Sequence, residues 1–449
     1  MTKKQIIKRT LAGVFACAII GTNALPAATQ LPTLFPAISA SAAASGVSFN
    51  ASTGVLTLSG NVSKSAVQQY AHNIKVKSVV AAAGTTFPAD CSKMFSGFDC
   101  TTMDLSKANV RNVVSMKEMF ANCMRLTSIN LNNWVTVSCK DMNGMFMHCG
   151  KLTSLALQFF NTANVEDMCC MFAACQSLNN LNISSFNTKN CKTMKGLFSC
   201  CRSLKRIHFN VYSTDTSKVT DMSEMFLECN NLEYVNLSAL TSTANVTNMR
   251  LMFDECYKLT DLDLSRFNTA KVTNMNSMFA GCRSLTSLDV SKFNTSQVTI
   301  MTGMFTRCSQ LKRLDLSNFN TAKVKDMTMM FSSCSNLTDL KLTNFNTANV
   351  TNMTFMFKDC SSLTELDLSS FNTANVTNMS YMFYNCRNLE KIYTSSGFKT
   401  DKVKVSNDMF RYCYNIEGWQ GTTYDPSWTA KESARWDIRP RFRGYFSVK

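Results

Sequence analysis

The stretch that decides the fold runs from Val376 to Leu389 and reads VTNMSYMFYNCRNL. Copies of it recur along the chain, and each copy places a cysteine at the position of Cys386. Successive cysteines of this column are 26 residues apart, except for one step of 28 residues and two of 27. The column has twelve members: Cys123, Cys149, Cys175, Cys201, Cys229, Cys256, Cys282, Cys308, Cys334, Cys360, Cys386 and Cys413. A fixed period of this size is typical of a solenoid, in which each coil buries its apolar face only against its neighbours.

Each repeat reads as one coil of a right-handed solenoid. The segment Leu363–Leu368 ends in alternating leucines, which predicts a strand with one face turned inward. Asn372 and Thr373 favour a turn. From Val376 to Leu389 the apolar residues then follow at spacings of three or four. The sequence therefore predicts a parallel β-sheet on one side of the solenoid and short strands or single helical turns on the other.

Residues 1–30 are predicted to be a secretory signal peptide. Basic residues between Lys3 and Arg9 precede the apolar stretch Leu11–Ile20, and small residues follow it. Cys17 loosely matches a bacterial lipoprotein box, so lipidation is an alternative, although the apolar stretch continues beyond it. No other apolar stretch approaches the ~20 residues of a membrane helix. We therefore expect secretion or display on the bacterial cell surface, and no transmembrane segment in the mature chain.

The rest of the chain is predicted to divide into four segments. They are a flexible lead-in at 31–46, an N-terminal cap at 47–90, a repeat array at 91–418 with about 13 units, and a C-terminal cap at 419–449. In the first cap we expect a pair of strands at 47–49 and 55–58, a short helix at 65–72 and a strand at 75–81. The aromatic and basic tail is expected to cover the last coil, with a separate polymer-binding site as the alternative.

The chain is basic, with a formal net charge of +16. Residues 1–45 carry four of these charges and no acid, so the mature chain keeps about +12. Such a charge favours anionic partners such as cell-wall polymers, glycans, acidic host proteins or nucleic acid, and keeping an exported protein soluble is the alternative explanation. Aromatic residues alternate with basic ones only in the tail, so we expect no specific nucleic-acid partner.

The repeat resembles a known type. With its M-x-x-M-F-x-x-C core, the stretch from Val376 to Leu389 is similar to the BspA-type leucine-rich repeat of bacterial surface proteins, in particular the 26-residue variant of mycoplasma lipoproteins. The segments Phe49–Gly60, Gly421–Asp425 and Gly444–Phe446 are similar to the usual ends of that family. The resemblance implies a surface-exposed or secreted adhesin-like protein that binds host matrix proteins or takes part in co-aggregation, without catalytic residues. Unlike many relatives, the chain shows no wall-sorting signal.

The cysteine column is predicted to be a ladder of buried thiols. Cysteine is often fully buried, and the parallel Cβ vectors of stacked coils do not suit disulfide geometry. A series of disulfides is the alternative in an oxidising compartment. Of the cysteines outside the column, Cys139 and Cys191 are expected to replace core valines. One disulfide is left open among the others: Cys91 with Cys100, or a pair among Cys169, Cys170 and Cys200.

Neither metal chemistry nor catalysis is expected. No C-x-x-C pair accompanies His148, which argues against zinc. The methionine columns of Met379 and Met382 fit core packing better than a copper site. Because His72, His148 and His208 fall in unrelated repeats, no nucleophile–base pair is indicated. The chain is therefore expected to be no enzyme and to use no cofactor.

The outward strand positions are predicted to form the binding interface. Their residue types vary while the core repeats, which suits a binding surface and equally suits unselected solvent-facing positions. Acids form one column, and Lys341 interrupts it and relieves like-charge repulsion. The candidate residues are Lys205, Arg206, Asp263, Asp289, Lys312, Arg313, Asp315, Lys341, Glu365 and Asp367. We therefore expect a non-enzymatic adhesin or interaction scaffold for a host or bacterial surface protein or glycan, with a self-associating structural cell-surface protein as the alternative.

Overall fold

The computed structural model describes residues 46–240, 242–436 and 443–447, which form a β-solenoid. The predicted repeat solenoid with parallel strands is thus confirmed. The predictions of a signal peptide, of lipidation at Cys17 and of a lead-in fall on residues 1–45 and lie outside the described residues, except for Gly46. Within the described ranges, no helix has both the length and the apolar character needed to cross a membrane.

The secondary structure consists of short strands that repeat once per coil. They are β1 Val47–Asn50, β2 Val55–Leu58, β3 Ser78–Ala81, β4 Thr102–Asp104, β5 Ser128–Asn130, β6 Ser154–Leu155, β7 Asn180–Leu181, β8 Arg206–Ile207, β9 Tyr234–Val235, β10 Arg313–Asp315, β11 Asp339–Lys341, β12 Glu365–Leu368, β13 Lys391–Thr394 and β14 Phe446–Ser447. Among the described residues, one α-helix, α1, spans Lys64–Gln68, and two 3-10 helices span Leu237–Ala239 and Lys431–Ser433.

Neighbouring coils pair their strands in parallel. Sheets join β1 to β5, β6 to β7, β8 to β9, β10 to β11, and β12 to β14, in sequence order. Of the strand pairs in the described residues, β1 with β2 is the antiparallel one. Leu366 of β12 lies opposite Ile392 of β13, one coil further on. Because the register equals the repeat length, each repeat position forms a straight column along the solenoid.

The core consists of such columns. In one coil, Leu366, Phe371, Met379 and Phe383 are each at most 1 % exposed. The ring of Phe383 stacks on that of Phe357 in the preceding coil, with centroids 5.7 Å and planes 1° apart. Offset stacking of rings at this distance adds to the free energy gained by burying them. The apolar residues are therefore spaced as they are because each must contact its own equivalents above and below.

The cysteine column lies in this core as free thiols. Each of its members is buried and makes no disulfide. The Sγ of Cys386 donates a hydrogen bond of 3.0 Å to the carbonyl oxygen of Phe357, one coil earlier. Burial raises the pKa of the Cys334 thiol to about 12. The thiol therefore stays protonated and keeps the S–H group that donates the hydrogen bond. The predicted ladder of buried thiols is confirmed.

The return side, from Val376 to Leu389 and its equivalents, is not the helical turn that the spacing suggested. The N–H of Met382 donates within its own coil, to the carbonyl of Met379 at 3.2 Å, but the N–H of Tyr381 donates to the following coil at 2.8 Å. This alternation requires left-handed backbone at two positions, with φ of 59° at Tyr381 and 63° at Asn385. A helix would satisfy every N–H within one coil, whereas this series of turns uses half of them to join coils.

The Asn-Thr turn also joins coils. The hydroxyl of Thr347 donates to the carbonyl oxygen of Asn372 at 2.8 Å. It accepts from the N–H of the same Asn372, also at 2.8 Å. Thr347 is fully buried, so its hydroxyl satisfies two backbone groups that no strand pairs. The repeated Asn-Thr pair is therefore a link between coils as well as a turn.

The two ends of the array are finished differently. At the N-terminal end, the predicted strand pair is confirmed as β1 and β2, which pair antiparallel, and the predicted helix and third strand are shorter than expected. At the C-terminal end, β14 adds a strand to β13, and Tyr445 and Phe446 are buried. The N–H of Tyr412, which has no further coil to reach, donates to the hydroxyl of Tyr424 at 3.2 Å. The boundaries of the two caps stay predictions.

Candidate interaction surface

The sheet face is made of the strand positions on either side of each buried leucine. Around Leu366, which is 1 % exposed, Glu365 is exposed and Asp367 is half-buried. The other eight candidates are exposed too, although four of them lie outside the regular strands: Lys205, Asp263, Asp289 and Lys312. The structure therefore brings all ten residues to one side of the solenoid, as columns spread over many coils and not as a single cluster.

The aspartate column has a local structural role that sequence reasoning missed. Oδ1 of Asp263 accepts hydrogen bonds from the hydroxyl of Ser265 at 2.6 Å and from its N–H at 3.0 Å. The side-chain hydrogen bond with Ser265 is the main reason why the pKa of Asp263 is lowered. Asp289 caps Ser291 through the same N–H contact at 2.9 Å. The signal was the repeated Asp-x-Ser spacing, typical of a turn in which the side chain accepts from the backbone two residues later.

Opposite charges on the C-terminal part of the sheet face compensate each other. Nζ of Lys341 lies 3.4 Å from Oδ2 of Asp315, and Nε of Arg313 lies 4.0 Å from Oδ2 of Asp339. Each of these four side chains is about half exposed or more. Such pairs contribute about 0–1 kcal/mol, so they neutralise charge without adding much stability. A partner that used these coils would first have to separate existing pairs.

A basic patch lies in the middle of the face and consists of Lys205, Arg206, His208 and Tyr234. Arg206 of β8 is directly opposite Tyr234 of β9. The imidazole of His208 lies 5.4 Å from the ring of Tyr234, centroid to centroid. Among the described residues, Lys205 and Arg206 form no ion pair. The patch therefore offers a partner two neighbouring cationic groups next to aromatic side chains.

The basic patch lies on the coils whose length departs from 26 residues. The step of 28 residues adds Val211 and Tyr212, which are 50 % and 96 % exposed. The following step has 27 residues, one more than the usual repeat, and the 3-10 helix Leu237–Ala239 accommodates this extra residue. The exposed ring of Tyr234 thus adjoins an exposed cation, Arg206. Sequence reasoning selected Lys205 and Arg206 but missed His208 and Tyr234, and the broken period was the signal that could have found them.

In the part of the chain that the structure describes, the cysteines outside the column form no disulfide. Cys91 and Cys100 are free and buried, and burial raises the pKa of each to about 12. Cys169 and Cys170 are half-buried, and their sulfurs are 3.5 Å apart in a hydrogen bond that lowers the pKa of Cys169. In the described part of the chain, no group of three histidine, cysteine or acidic residues is placed to hold a metal ion.

Comparison with known families gave one match. The sequence matches the family described as mycoplasma protein of unknown function, DUF285, over six overlapping ranges: 68–158, 89–209, 127–240, 202–313, 235–339 and 301–419. A comparison with curated proteins gave no match.

Comparison with solved structures gave leucine-rich-repeat proteins. The chain is similar to a leucine-rich repeat protein from Eubacterium ventriosum, with 14 % identity, a TM-score of 0.35, and 84 % of this chain and 93 % of that chain covered. It is similar to a leucine rich cell surface protein from Faecalibacterium prausnitzii, with 15 % identity, a TM-score of 0.35, and coverage of 83 % and 97 %. It is also similar to a chain of the Toll–Spatzle complex of Drosophila, with 12 % identity, a TM-score of 0.25, and coverage of 81 % and 49 %.

Proposed function

The chain belongs to the DUF285 family, and we propose that it is an exported, non-enzymatic adhesin that holds a partner on its sheet face. The observation that carries the proposal is the basic patch. It places two neighbouring cations, which form no ion pair among the described residues, beside an exposed tyrosine, whereas Arg313 and Lys341 further along the face are each paired with an aspartate. The partner best suited to it is a surface protein that presents carboxylates, or an acidic glycan.

The geometry suits recognition by a few strong contacts among many weak ones. Arginine and tyrosine are the residue types that most often dominate binding energy at protein interfaces. Arg206 and Tyr234 are neighbours on paired strands, so one partner group can contact both. The remaining sheet face offers a long surface over which weak contacts add up. The charge of about +12 on the mature chain speeds the approach of an acidic partner but does not specify it.

The test is binding of the purified chain 46–449 to a panel of host matrix proteins, glycans and bacterial wall polymers, at low and at physiological salt. Lys205→Ala with Arg206→Ala should abolish saturable binding to the preferred partner. The matched control is Lys271→Ala with Lys325→Ala, which removes the same charge from exposed positions away from the sheet face. That control should keep most of the affinity.

Other outcomes separate this proposal from its rivals. Equal losses in the two double variants, or binding that disappears at physiological salt for every partner, would mean that net charge alone attracts anionic polymers. Light scattering of the chain by itself tests the structural alternative. A mass that rises steadily with concentration, without saturable binding to any panel member, would favour a self-associating cell-surface protein.

A further inference from the structure

A second surface lies on the return side of the last coils, where aromatic rings form a continuous row that we name the tyrosine track. Its members are Phe355, Tyr381, Tyr384, Tyr412, Tyr414 and Tyr424. Centroids of successive rings are 4.9, 5.7, 5.2, 6.0 and 5.7 Å apart. All six are half-buried or exposed. The track is therefore a surface, separate from the phenylalanine column of the core.

The repeat itself does not require these rings. The position of Tyr381 is occupied in earlier coils by Ser277 and Gly303, and that of Tyr384 by Ala280. Those coils keep the same turn, with φ of 52° at Ser277 and 62° at Gly303. Capping explains part of the track, because the Tyr424 hydroxyl accepts the last inter-coil N–H. It does not explain Tyr414, which is 55 % exposed.

The track ends in a cavity of about 550 Å³. Its walls include the rings of Tyr412, Tyr414 and Tyr424 together with Pro426, Asp408 and Arg411. A concave site of this size, mostly apolar and with a few polar groups, is the usual form of a small-ligand site. A ligand that filled it would lie against aromatic faces and reach one carboxylate and one guanidinium.

The charges along the track are largely balanced. Arg411 pairs with Asp408 at 3.5 Å and lies 5.0 Å from the centre of the Tyr412 ring. Lys358 pairs with its neighbour Asp359. A further cation, Arg387, donates Nε to the Asn385 side chain at 2.7 Å. A strongly charged ligand would gain little from paired groups, whereas hydroxyl groups can hydrogen-bond to a carboxylate and a guanidinium together.

From these features we propose that the tyrosine track binds a neutral oligosaccharide. A pyranose ring has an apolar face of C–H groups that packs on an aromatic ring and a rim of hydroxyls that suits paired polar side chains. Stacked coils are about 4.8 Å apart, close to the length of one sugar in an extended β-linked chain. The track crosses the coils of Cys360, Cys386 and Cys413 and then the tail, so an extended chain of sugars along it would meet at least one aromatic ring in each coil.

The experiment is isothermal titration calorimetry of the chain 46–449 with cellohexaose, chitohexaose and laminarihexaose, each at about 1 mM. We expect saturable binding of one of them with an affinity that does not change between low and high salt. Tyr384→Ala and Tyr414→Ala should each weaken that affinity about tenfold or more, and Tyr414→Phe should keep most of it. Tyr212→Ala, which removes a still more exposed ring from another coil, is the matched control and should change nothing.

Three results would overturn the proposal. They are no heat of binding with any of the three sugars, an equal loss in the Tyr212 variant, and preferential binding of a proline-rich peptide run in parallel. The sheet-face variant Lys205→Ala with Arg206→Ala should keep full sugar affinity. Loss of the adhesin activity and loss of the sugar site can therefore be told apart.

Discussion

Replacing Thr347 by valine tests the idea that the Asn-Thr turn joins coils. The substitution preserves shape and removes only the hydroxyl, which is fully buried and serves both the carbonyl and the N–H of Asn372. Each buried polar group left without a partner costs about 1–3 kcal/mol. Since water does not reach Thr347, we expect the free energy of unfolding to fall by about 2–4 kcal/mol.

Two measurements check this prediction. Urea denaturation of the chain 46–449, followed by circular dichroism, gives the loss of stability with the m-value as a test of cooperativity. Hydrogen exchange read by mass spectrometry should show faster exchange of the Asn372 amide and its coil than of coils further away, because solenoid contacts join only neighbours.

Two further variants serve as controls. Thr351 lies in the same coil as Thr347, and its exposed hydroxyl donates a hydrogen bond of 3.3 Å to the carbonyl oxygen of Lys325. Thr351→Val should therefore change the free energy of unfolding by no more than about 0.5 kcal/mol. Thr347→Ser keeps the hydroxyl and loses one methyl, so it should cost about 1 kcal/mol. If Thr347→Val proved as stable as Thr351→Val, or no worse than Thr347→Ser, the linking role would be refuted.

The other predictions follow from backbone strain, thiol chemistry and burial. Gly303→Ala should lower stability by about 1 kcal/mol, measured as a urea midpoint, because φ there is 62° and the new Cβ would lie 3.2 Å from Ser277 Oγ. Iodoacetamide should label Cys169 of the folded chain well before Cys334, whose pKa is about 12; equal labelling in peptide mass spectra would contradict this. Burial raises the pKa of Asp254 from 3.8 to about 7, so the folded state holds a proton that the unfolded state has released, and stability falls as pH rises through that window. Asp254→Asn should therefore be more stable than the parent chain at about pH 8 and gain less at about pH 4, and an advantage independent of pH would refute the assignment.

The core could be predicted from sequence because periodicity is a property of the whole chain. Each repeat position corresponds to one column of the solenoid. The burial of Phe383 and Cys386 can therefore be predicted from the equivalent residues of other repeats, without knowledge of any contact. The return side was predicted less well. Spacings of three and four are shared by a helix and by a row of turns whose N–H groups alternate between two coils. Left-handed residues separate the two cases, but non-glycine residues such as Tyr381 carry no sequence mark of that conformation.

The candidate surface could be predicted only in part. Alternation around Leu366 placed the outward side chains correctly, since a strand has a period of two. Whether an outward charged side chain is available to a partner depends on ion pairs between residues one coil apart, such as Lys341 with Asp315. The tyrosine track was missed because its rings occupy four different repeat positions and one position in the tail, so no single column shows it.

The alternation of N–H groups on the return side gives the protein a particular response to force. Every coil is held to the next by contacts of the same kind, so a pull along the axis loads all junctions in series. The weakest one opens first, and each opening releases about 26 residues, which extend to about 85 Å. A chain fixed at one end would lengthen in equal steps under shear. A partner bound to coils that are still folded would stay bound while the other coils unfold.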